Sequence, residues 1–399
     1  MSNLWQESKL GKTGKIVTGK TPSKDNPEDW GNDVLFITPS DYRNYEKKAY
    51  SSIRKLSVIG AERQKLRLLP INSVLVTCIG SDMGKTVCNV LPCVTNQQIN
   101  AIIPDQSVAN ADYLYYVTKD LYEVLKGFGG DGTAVPILNK SDFENIDILL
   151  PSIAEQKAIA SVLSSLDDKI DLLCRQNKIL EAMAEALFRH WFVEEAREDW
   201  EKVKLSDVCL VITKETTPTT LGHQFVETGV NFVKAESITD SGDFILKKFA
   251  HISEETHLFL RRSIIESGDV LCSIAGTIGR TAIVDDSILP ANTNQAIAIL
   301  RVDYKKCLPE FVYLFLKSTA FREIMDGKVV HAVQPNLSLG EIGNTIFLSP
   351  PKDLVRKFEV TIRPIFEKKK NNSRQIRTLE TLRDTLLPKL MSGEVRVTV

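Results

Sequence analysis

The hydrophobic pattern is most regular between Ile153 and Phe192, a stretch without Gly or Pro. Apolar side chains recur there at alternating spacings of four and three residues, the heptad pattern of a coiled coil rather than of an ordinary amphipathic helix. The predicted seam consists of Ile159, Leu163, Leu166, Ile170, Leu173, Asn177, Leu180 and Leu187. A helix of ~40 residues rising ~1.5 Å per residue is a rod of roughly 60 Å. Such a rod needs a partner helix along its seam.

A second segment with the same pattern begins at Lys352. Its predicted seam consists of Phe358, Ile362, Ile365, Asn372, Ile376, Leu379 and Leu386. Pro364 predicts a bend or a fresh start, and Pro388 predicts the end of the helix. Lys369 and Arg383 also fall on the seam, where their charge predicts weaker packing. An alternative is that this helix is partly exposed in the free chain and is covered only in a complex.

The chain contains an internal duplication, in which matching segments occur in the same order about half a chain apart. WQESKL matches WEKVKL, and SVLVTCIGSDMGKT matches GDVLCSIAGTIGRT. Phe36 aligns with Phe232, and the pair Asn96-Gln97 aligns with Asn294-Gln295. Each copy closes with one of the long heptad segments, so the partner for the first rod lies in the same chain.

Two copies related by a pseudo-two-fold axis place their rods antiparallel. Asn177 and Asn372 then face each other across the seam, and a paired buried Asn fixes register and orientation at some cost in stability. We therefore expect these two side chains to lie in contact.

The predicted fold class is α+β, with two similar globular domains of mixed β-sheet and short helices joined by two long helices that form an antiparallel coiled coil. Short β-branched runs such as VLFIT, SVLVTCI and AIAILRV predict strands. Residues 111–126 and 309–325 predict short helices. The predicted divisions are a first globular domain 1–150, a central helix 151–195, a second globular domain 196–349 and a C-terminal helix with tail 350–399.

The composition is that of a soluble globular protein, with 43% apolar residues, 25% charged residues and a formal net charge of −1. The apolar runs are too short to span a bilayer, and the N-terminal segment lacks an apolar secretion signal. Seven scattered cysteines without CxxC spacing predict buried thiols in a reducing compartment, the cytoplasm. We expect no membrane partner.

GSDMGKT resembles a phosphate-binding loop but departs from its pattern. The pattern G-x-x-x-x-G-K-[ST] requires Gly at position 79, where this chain has Ile79, and the second copy has Arg280 in place of the lysine. A Gly-rich hairpin turn explains the duplication better.

No other catalytic machinery is predicted. The five histidines show no metal-ligand spacing, and the Asp167-Asp168-Lys169 run is assigned to the polar face of the first rod. The Asn- or Asp-Pro-Pro-aromatic loop of adenine methyl transfer is missing, as is a Gly-rich loop for S-adenosylmethionine. We expect neither a metal nor a cofactor.

The predicted loops instead offer basic, amide and hydroxyl side chains suited to DNA. Arg and Lys bind guanine edges and phosphates, while Asn and Gln bind adenine. The candidate DNA contacts are Thr38, Ser40, Tyr42, Arg43, Lys85 and Thr133 in the first copy, and Lys234, Glu236, Ser237, Thr277, Arg280, Gln334 and Asn336 in the second. For each one the alternative is a solvated loop residue, and the Asn-Gln pairs are better explained as structural turns.

Taken together, the order of these motifs resembles the specificity (S) subunit of Type I restriction-modification systems. The resemblance covers essentially the whole chain and rests on the Trp and Gly-Lys-Thr-Pro opening, the Gly-(Lys/Arg)-Thr turn and Asn-Gln-x-Ile. It also rests on Leu-Pro-x-x-x-Glu-Gln at residues 150–156 and on the C-terminal LLPKLMSGEV. The second copy lacks the Glu-Gln, which puts equivalent partner binding by the two halves in doubt.

The resemblance implies a non-catalytic subunit in which each globular domain is a target recognition domain that reads one half of a bipartite, asymmetric double-stranded DNA site. The long helices would be the spacer. Two methyltransferase (M) subunits would bind around them, and restriction (R) motor-nuclease subunits would join for cleavage. The alternatives are a two-lobed adaptor that binds protein rather than DNA, and an enzyme with an unrecognised site in the first Gly-rich loop.

Overall fold

A computed structural model describes residues 5–44, 47–128, 136–323 and 336–397. The chain divides into two compact units. The first unit comprises Met1–Leu172 and Ile376–Val399, and the second comprises Leu173–Gln375. Each unit contains one copy of the repeat together with part of each long helix, so the division falls inside both helices.

The two long helices are the longest elements of the chain. The first long helix spans Ile153–Arg189 and passes into a π-helical turn, His190–Glu194. The second long helix spans Lys352–Met391 and is uninterrupted at Pro364. The prediction that Pro388 ends it is wrong, because a proline removes only one backbone hydrogen bond and the last turn is held by apolar burial. Leu387, Leu390 and Met391 all lie in the core of the first unit.

The described strands of the first unit form three sheets. Gln6–Lys9 pairs antiparallel with Asp147–Leu150. The five-stranded sheet runs in the order Gly14–Thr18, Ile99–Pro104, Val74–Thr77, Thr86–Asn89, Lys48–Ala49. The four-stranded sheet runs in the order Trp30–Gly31, Arg54–Leu56, Val34–Ile37, Cys93–Thr95. Val34–Ile37 and Cys93–Thr95 pair in parallel, so this sheet is mixed.

The second unit repeats this plan. Glu201–Lys204 pairs antiparallel with Ile346–Ser349. One four-stranded sheet runs in the order Cys209–Thr213, Ile297–Val302, Val270–Ser273, Thr281–Ile283. The other runs in the order Ala250–Ile252, Val230–Val233, Ala291–Thr293, Ile264–Ile265, with Val230–Val233 and Ala291–Thr293 parallel. The parallel pair recurs at equivalent positions in the two copies.

Short helices connect these strands. Those of the first unit are Val58–Arg63, Ala111–Asp120, Tyr122–Gly127 and Lys140–Glu144, and those of the second are Leu205–Val208, Glu254–Phe259, Pro309–Lys317 and Leu339–Gly343. The predicted helix 111–126 is thus two helices that meet at Leu121. The predicted helix 309–325 pauses at Ser318 and resumes over 319–323.

In each unit one short helix packs the sheets against the long helices. Tyr113, Tyr115 and Tyr116 of Ala111–Asp120 are almost completely buried in the same core as Ile159 and Leu387. Pro309–Lys317 contributes most of its side chains to the core that contains residues of both long helices in the second unit. The α+β fold class, with two similar lobes and long helices, is confirmed.

Candidate nucleic-acid interface

The first loop, residues 38–44, begins where strand Val34–Ile37 ends and is held by a buried aspartate. The carboxylate of Asp41 accepts hydrogen bonds from the backbone N–H and the hydroxyl of Thr38, both at 2.8 Å, and from the backbone N–H of Ile53 at 2.7 Å. Asp41 is 1% exposed. The loop is therefore fixed from within, and it presents Ser40 and Arg43 to solvent.

The second loop, residues 234–240, follows the equivalent strand Val230–Val233. The hydroxyl of Ser237 donates to the carbonyl of Lys248 at 3.1 Å and accepts from the backbone N–H of Lys234 at 3.4 Å. Glu236 is exposed, and the ammonium group of Lys234 lies 4.8 Å from the centre of the Phe225 ring.

Two predicted DNA contacts are buried in the described chain. Tyr42 is 6% exposed and donates its hydroxyl to the Leu75 carbonyl at 3.1 Å, and Ser237 is fully buried. Both side chains support their loops, so contact of either one with DNA stays a prediction that requires the loop to move.

The Gly-rich segments are hairpin turns, as predicted. Residues 78–85 connect the antiparallel strands Val74–Thr77 and Thr86–Asn89, and residues 274–280 connect Val270–Ser273 and Thr281–Ile283. Gly84 and Gly279 occupy equivalent positions with φ of +90° and +88°, a region that L side chains rarely adopt.

The basic residue of each turn is already paired with a carboxylate. Lys85 lies 2.6 Å from Asp82 within the first turn. Arg280 lies 2.9 Å from Asp240 and so links the second turn to the second loop. A base or phosphate would have to compete with these carboxylates for the two cations.

The Asn-Gln pairs are structural in both copies, which confirms that interpretation. The side-chain oxygens of Asn96 and Asn294 each accept a backbone N–H two residues later, at 3.1 Å. Gln97 accepts from the hydroxyl of Thr21 at 2.9 Å, and Gln295 accepts from that of Thr217 at 2.9 Å. Both glutamines thereby hold the Thr-Pro segment at the start of their copy.

The remaining candidates lie on the surface or beyond the described chain. Thr277 and Asn336 are exposed. Thr133 and Gln334 lie outside the described residues. The structure therefore places Thr38, Ser40 and Arg43 on one loop in the first copy, and in the second it links Arg280, through Asp240, to the loop that carries Lys234 and Glu236.

The predicted asparagine contact is confirmed within the second unit. The amide nitrogen of Asn372 donates to the side-chain oxygen of Asn177 at 3.0 Å, and that of Asn177 donates to the hydroxyl of Ser373 at 3.1 Å. Asn177 is 2% exposed and Asn372 is fully buried. All other predicted seam residues are buried or half-buried: Ile159, Leu163, Leu166, Ile170, Leu173, Leu180, Leu187, Phe358, Ile362, Ile365, Ile376, Leu379 and Leu386.

The assignment of Asp167 to the polar face is wrong. Asp167 is buried in the first unit, where Arg383 donates to it at 2.8 Å and the Tyr116 hydroxyl donates at 2.7 Å. Although burial opposes charge on Arg383, hydrogen bonding and attraction to Asp167 raise the pKa of its guanidinium overall. The seam accepts this arginine because a carboxylate on the facing helix neutralises it.

Lys369 is accommodated in the same way in the second unit. Its ammonium group lies 2.7 Å from one oxygen of Glu181 on the first long helix, while Lys317 lies 2.5 Å from the other. The Tyr313 hydroxyl also donates to Glu181, at 2.5 Å. Burial by itself raises the pKa of the Glu181 carboxyl, but the two lysines outweigh it and hold the pKa below its usual range. Both charges on the seam are thus paired with a carboxylate of the facing helix, and weaker packing at Lys369 and Arg383 stays a prediction.

These pairs also show that the helix segments run antiparallel within each unit. In the second unit Asn177 meets Asn372, whereas Glu181, one turn further on, meets Lys369, one turn earlier. In the first unit Asp167 meets Arg383, while Ile159 and Leu163 share a core with Leu387 and Leu390.

Gln156, in the Glu-Gln motif of the first copy, is an internal clamp. It is 1% exposed, its side-chain oxygen accepts from the backbone N–H of Asn110 at 2.9 Å, and its nitrogen donates to the carbonyls of Val108 and Pro151. The equivalent residue of the second copy, Val355, cannot make these bonds. The difference between the copies at this position therefore concerns internal packing.

Sequence reasoning missed the acidic partners of the seam. Asp167 and Glu181 fall between predicted seam positions, and neither periodicity nor charge identifies them as buried. Opposite charges at facing positions of two antiparallel heptad frames are the signal that identifies them once the register is known.

The described residues also bear on metal binding, membrane insertion and cysteine chemistry. Among residues 5–44, 47–128, 136–323 and 336–397, no three His, Cys, Asp or Glu side chains converge as metal ligands. Within the same ranges, no helix is both long enough and apolar enough to traverse a bilayer. All seven cysteines are free thiols, and burial raises the pKa of Cys78, Cys88, Cys93 and Cys272 to about 12.

Comparison with known proteins gives matches along the whole chain. The family model described as Type I restriction modification DNA specificity domain matches twice, over residues 3–182 and 197–355. The Type I restriction enzyme MjaIX specificity subunit of Methanocaldococcus jannaschii is 31% identical over 98% of this chain and 94% of its own length. The HindI specificity subunit of Haemophilus influenzae is 36% identical over 42% of this chain and 37% of its own length.

A solved structure gives the same result for the fold. The S subunit of a Type I restriction-modification system from M. genitalium superposes with a TM-score of 0.58 at 16% identity, covering 99% of this chain and 97% of that one. Each match to the family model begins at the tryptophan-containing opening of one copy, so the duplication in the sequence coincides with two copies of one known domain.

Proposed function

The chain belongs to the DNA specificity subunits of Type I restriction-modification systems, and from this premise we propose that its two repeats read the two halves of a bipartite, asymmetric double-stranded DNA site. The observation that carries the proposal is the duplication itself. Each copy supplies a rigid loop after a strand of the mixed sheet and a Gly-rich hairpin with a basic residue. Two copies with different loop residues suit two different half-sites.

The first loop supports this role in the first copy. Asp41 holds the loop from its buried side, which leaves Ser40 and Arg43 available for hydrogen bonds to base edges and phosphates. The second loop offers Glu236 at the position equivalent to Ser40. Because Glu accepts from cytosine N4 and Arg donates to guanine, the different residues predict different half-sites.

The chain is proposed to be non-catalytic and to act in the cytoplasm within a larger complex. Two methyltransferase (M) subunits would supply the adenine methylation and restriction (R) subunits the cleavage. The long helices would serve as the spacer between the DNA-reading repeats and as the surface that the M subunits bind. Their buried seams, closed by ion pairs and an asparagine contact, support a scaffold that is already formed before these partners bind.

The domain boundaries predicted from the sequence are part of this proposal. Residues 1–150 and 196–349 would be the two target recognition domains, and residues 151–195 and 350–399 the spacer segments. A DNA-reading unit would then consist of a globular domain together with the helix segments that complete its core, because Leu387 and Leu390 are part of the core of the first copy.

The test is a map of N6-methyladenine in the DNA of a host that carries this chain and its methyltransferase, compared with a host that carries the methyltransferase alone. We expect methylation at one bipartite sequence only when both proteins are present. Methylation that is identical without this chain would overturn the proposal and favour the protein-binding adaptor.

A further inference from the structure

A cation is stacked on an aromatic pair in each copy of the repeat. In the first copy the guanidinium of Arg54 lies 3.4 Å from the centre of the Trp30 ring, and Trp30 packs edge-to-face on Phe36 with centroids 5.1 Å apart. In the second copy the ammonium of Lys234 lies 4.8 Å from the Phe225 ring, and Phe225 packs edge-to-face on Phe232 at 5.3 Å. Phe36 and Phe232 are equivalent residues of the duplication.

The stacked cations adjoin the two loops that are proposed to contact DNA. Lys234 is the first residue of the second loop. Arg54 pairs across the sheet with Phe36, two residues before the first loop, and the backbone N–H of its neighbour Ile53 donates to Asp41 of that loop at 2.7 Å. The cation comes from a different segment in each copy. In the second copy Lys234 directly follows the strand that contains Phe232, whereas in the first copy Arg54 lies on the strand that neighbours the one containing Phe36.

Neither cation is neutralised by a carboxylate of the described residues. Other arginines of the two copies are different: Arg63 pairs with Glu28 at 2.8 Å and with Asp29 at 2.7 Å, and Arg301 pairs with Asp269 at 2.8 Å. Arg54 is exposed and Lys234 is half-exposed. Stacking on a ring reduces the side-chain freedom of a cation without using its hydrogen-bond donors, so the donors remain available for an anion.

We propose that Arg54 on Trp30 and Lys234 on Phe225 are equivalent clamps for the phosphate backbone of the DNA, one for each half-site. This inference rests on the proposed function. A phosphate is favoured over a base edge because the device is the same in both copies, whereas the half-sites that the copies read differ. Arg and Lys both bind phosphate, while other exposed loop residues, among them Arg43 and Glu236, differ between the copies and can distinguish sequences.

The experiment measures binding of the full chain, assembled with its methyltransferase, to fluorescent duplexes that contain the methylated site, one altered half-site, or neither half-site. The variants are Arg54→Ala, Arg54→Lys and Lys234→Ala. Lys12→Ala is the matched control, because Lys12 is an exposed cation of the first copy on the turn beside strand Gln6–Lys9. Thermal melting of each variant checks that the fold is retained.

A phosphate clamp predicts that Arg54→Ala and Lys234→Ala each weaken binding several-fold on all three duplexes alike. Each should also lower the slope of log affinity against log salt by about 0.9, because one counterion fewer is released. Arg54→Lys should retain the wild-type slope, and Lys12→Ala should change neither quantity. The sequence that is methylated should stay the same.

Two results would overturn the inference while leaving the proposed function intact. One is a loss of affinity in Arg54→Ala confined to the duplexes in which the half-site read by the first copy is intact, which identifies a base contact. The other is unchanged affinity and salt slope in both alanine variants while the wild type still prefers its site. If the wild-type complex itself shows no preference among the duplexes, the proposed function fails instead.

Discussion

Arg383 donates a hydrogen bond to Asp167 over 2.8 Å, and both side chains are 4% exposed. The pair joins the two long helices inside the first unit, where the Tyr116 hydroxyl completes the bonding of the aspartate. A charged residue can be buried on a heptad seam when the facing helix supplies a carboxylate of opposite charge.

Removing one member of this pair should be more damaging than removing both. Arg383→Ala leaves the Asp167 carboxylate buried without its counter-charge, and we expect a loss of ~3–5 kcal/mol in the free energy of unfolding of the first unit. The double variant Asp167→Leu with Arg383→Met should recover most of that loss, because it replaces the pair by apolar side chains. Urea unfolding followed by circular dichroism measures both, with the exposed Lys157→Ala as control. Equal losses in the single and double variants would contradict this account.

The cluster around Glu181 should make stability fall in acid. The pKa of Glu181 is lowered from its usual 4.5, so the unfolded chain binds the proton more readily than the folded one. The stabilisation is therefore complete above pH 4.5 and is lost as the pH falls through the lower, folded-state value. Glu181→Gln should reduce the dependence of the melting temperature on pH in this window. If the melting temperatures of wild type and variant fall equally as the pH is lowered, other carboxylates determine the loss of stability in acid.

The Asn177–Asn372 contact should fix the register of the two long helices at a cost in stability. Asn372→Leu alone leaves the Asn177 amide without this partner, and we expect a loss of ~1–3 kcal/mol. The double variant Asn177→Leu with Asn372→Leu should be at least as stable as wild type, because two apolar residues then meet on the seam. Urea midpoints test the stability. Light scattering tests whether the double variant forms additional oligomers, which wild type should not.

The two hairpin glycines provide a matched comparison. Both have positive φ, so alanine at either position is strained by ~1–2 kcal/mol. A Cβ on Gly84 would also lie 2.9 Å from the Tyr122 ring, whereas a Cβ on Gly279 meets nothing within 4 Å. Gly84→Ala should therefore lower the melting temperature more than Gly279→Ala. The reverse order would mean that the turn of the first copy relaxes freely.

Much of the fold follows from the sequence because its patterns are local or repeated. Periodicity identified the long helices, and duplication supplied the partner and the antiparallel direction that lead to the Asn177–Asn372 contact. The end of the second long helix did not follow, since Pro388 is an unfavourable local residue whose turn is held by the burial of Leu390 and Met391 in a distant core.

The candidate interface is less predictable because a loop residue has no periodicity. Tyr42 and Ser237 have the side chains of DNA readers, yet the structure uses their hydroxyls to hold their own loops. Arg54 was overlooked because its stacking partner Trp30 is far away in sequence and meets it only when the sheet forms. A residue type indicates what a side chain can bind, and the neighbours decide whether it is available.

The most direct test of the central claim is to exchange one repeat and sequence the methylated DNA. Residues 5–150 are replaced by the equivalent segment of a relative with a different methylation site, and N6-methyladenine is mapped in a host that carries the chimaera with the methyltransferase. We predict a new bipartite site in which one half is altered and the other is that of the unaltered chain. A chimaera of normal stability that methylates the original sequence would contradict the claim that each repeat reads one half-site.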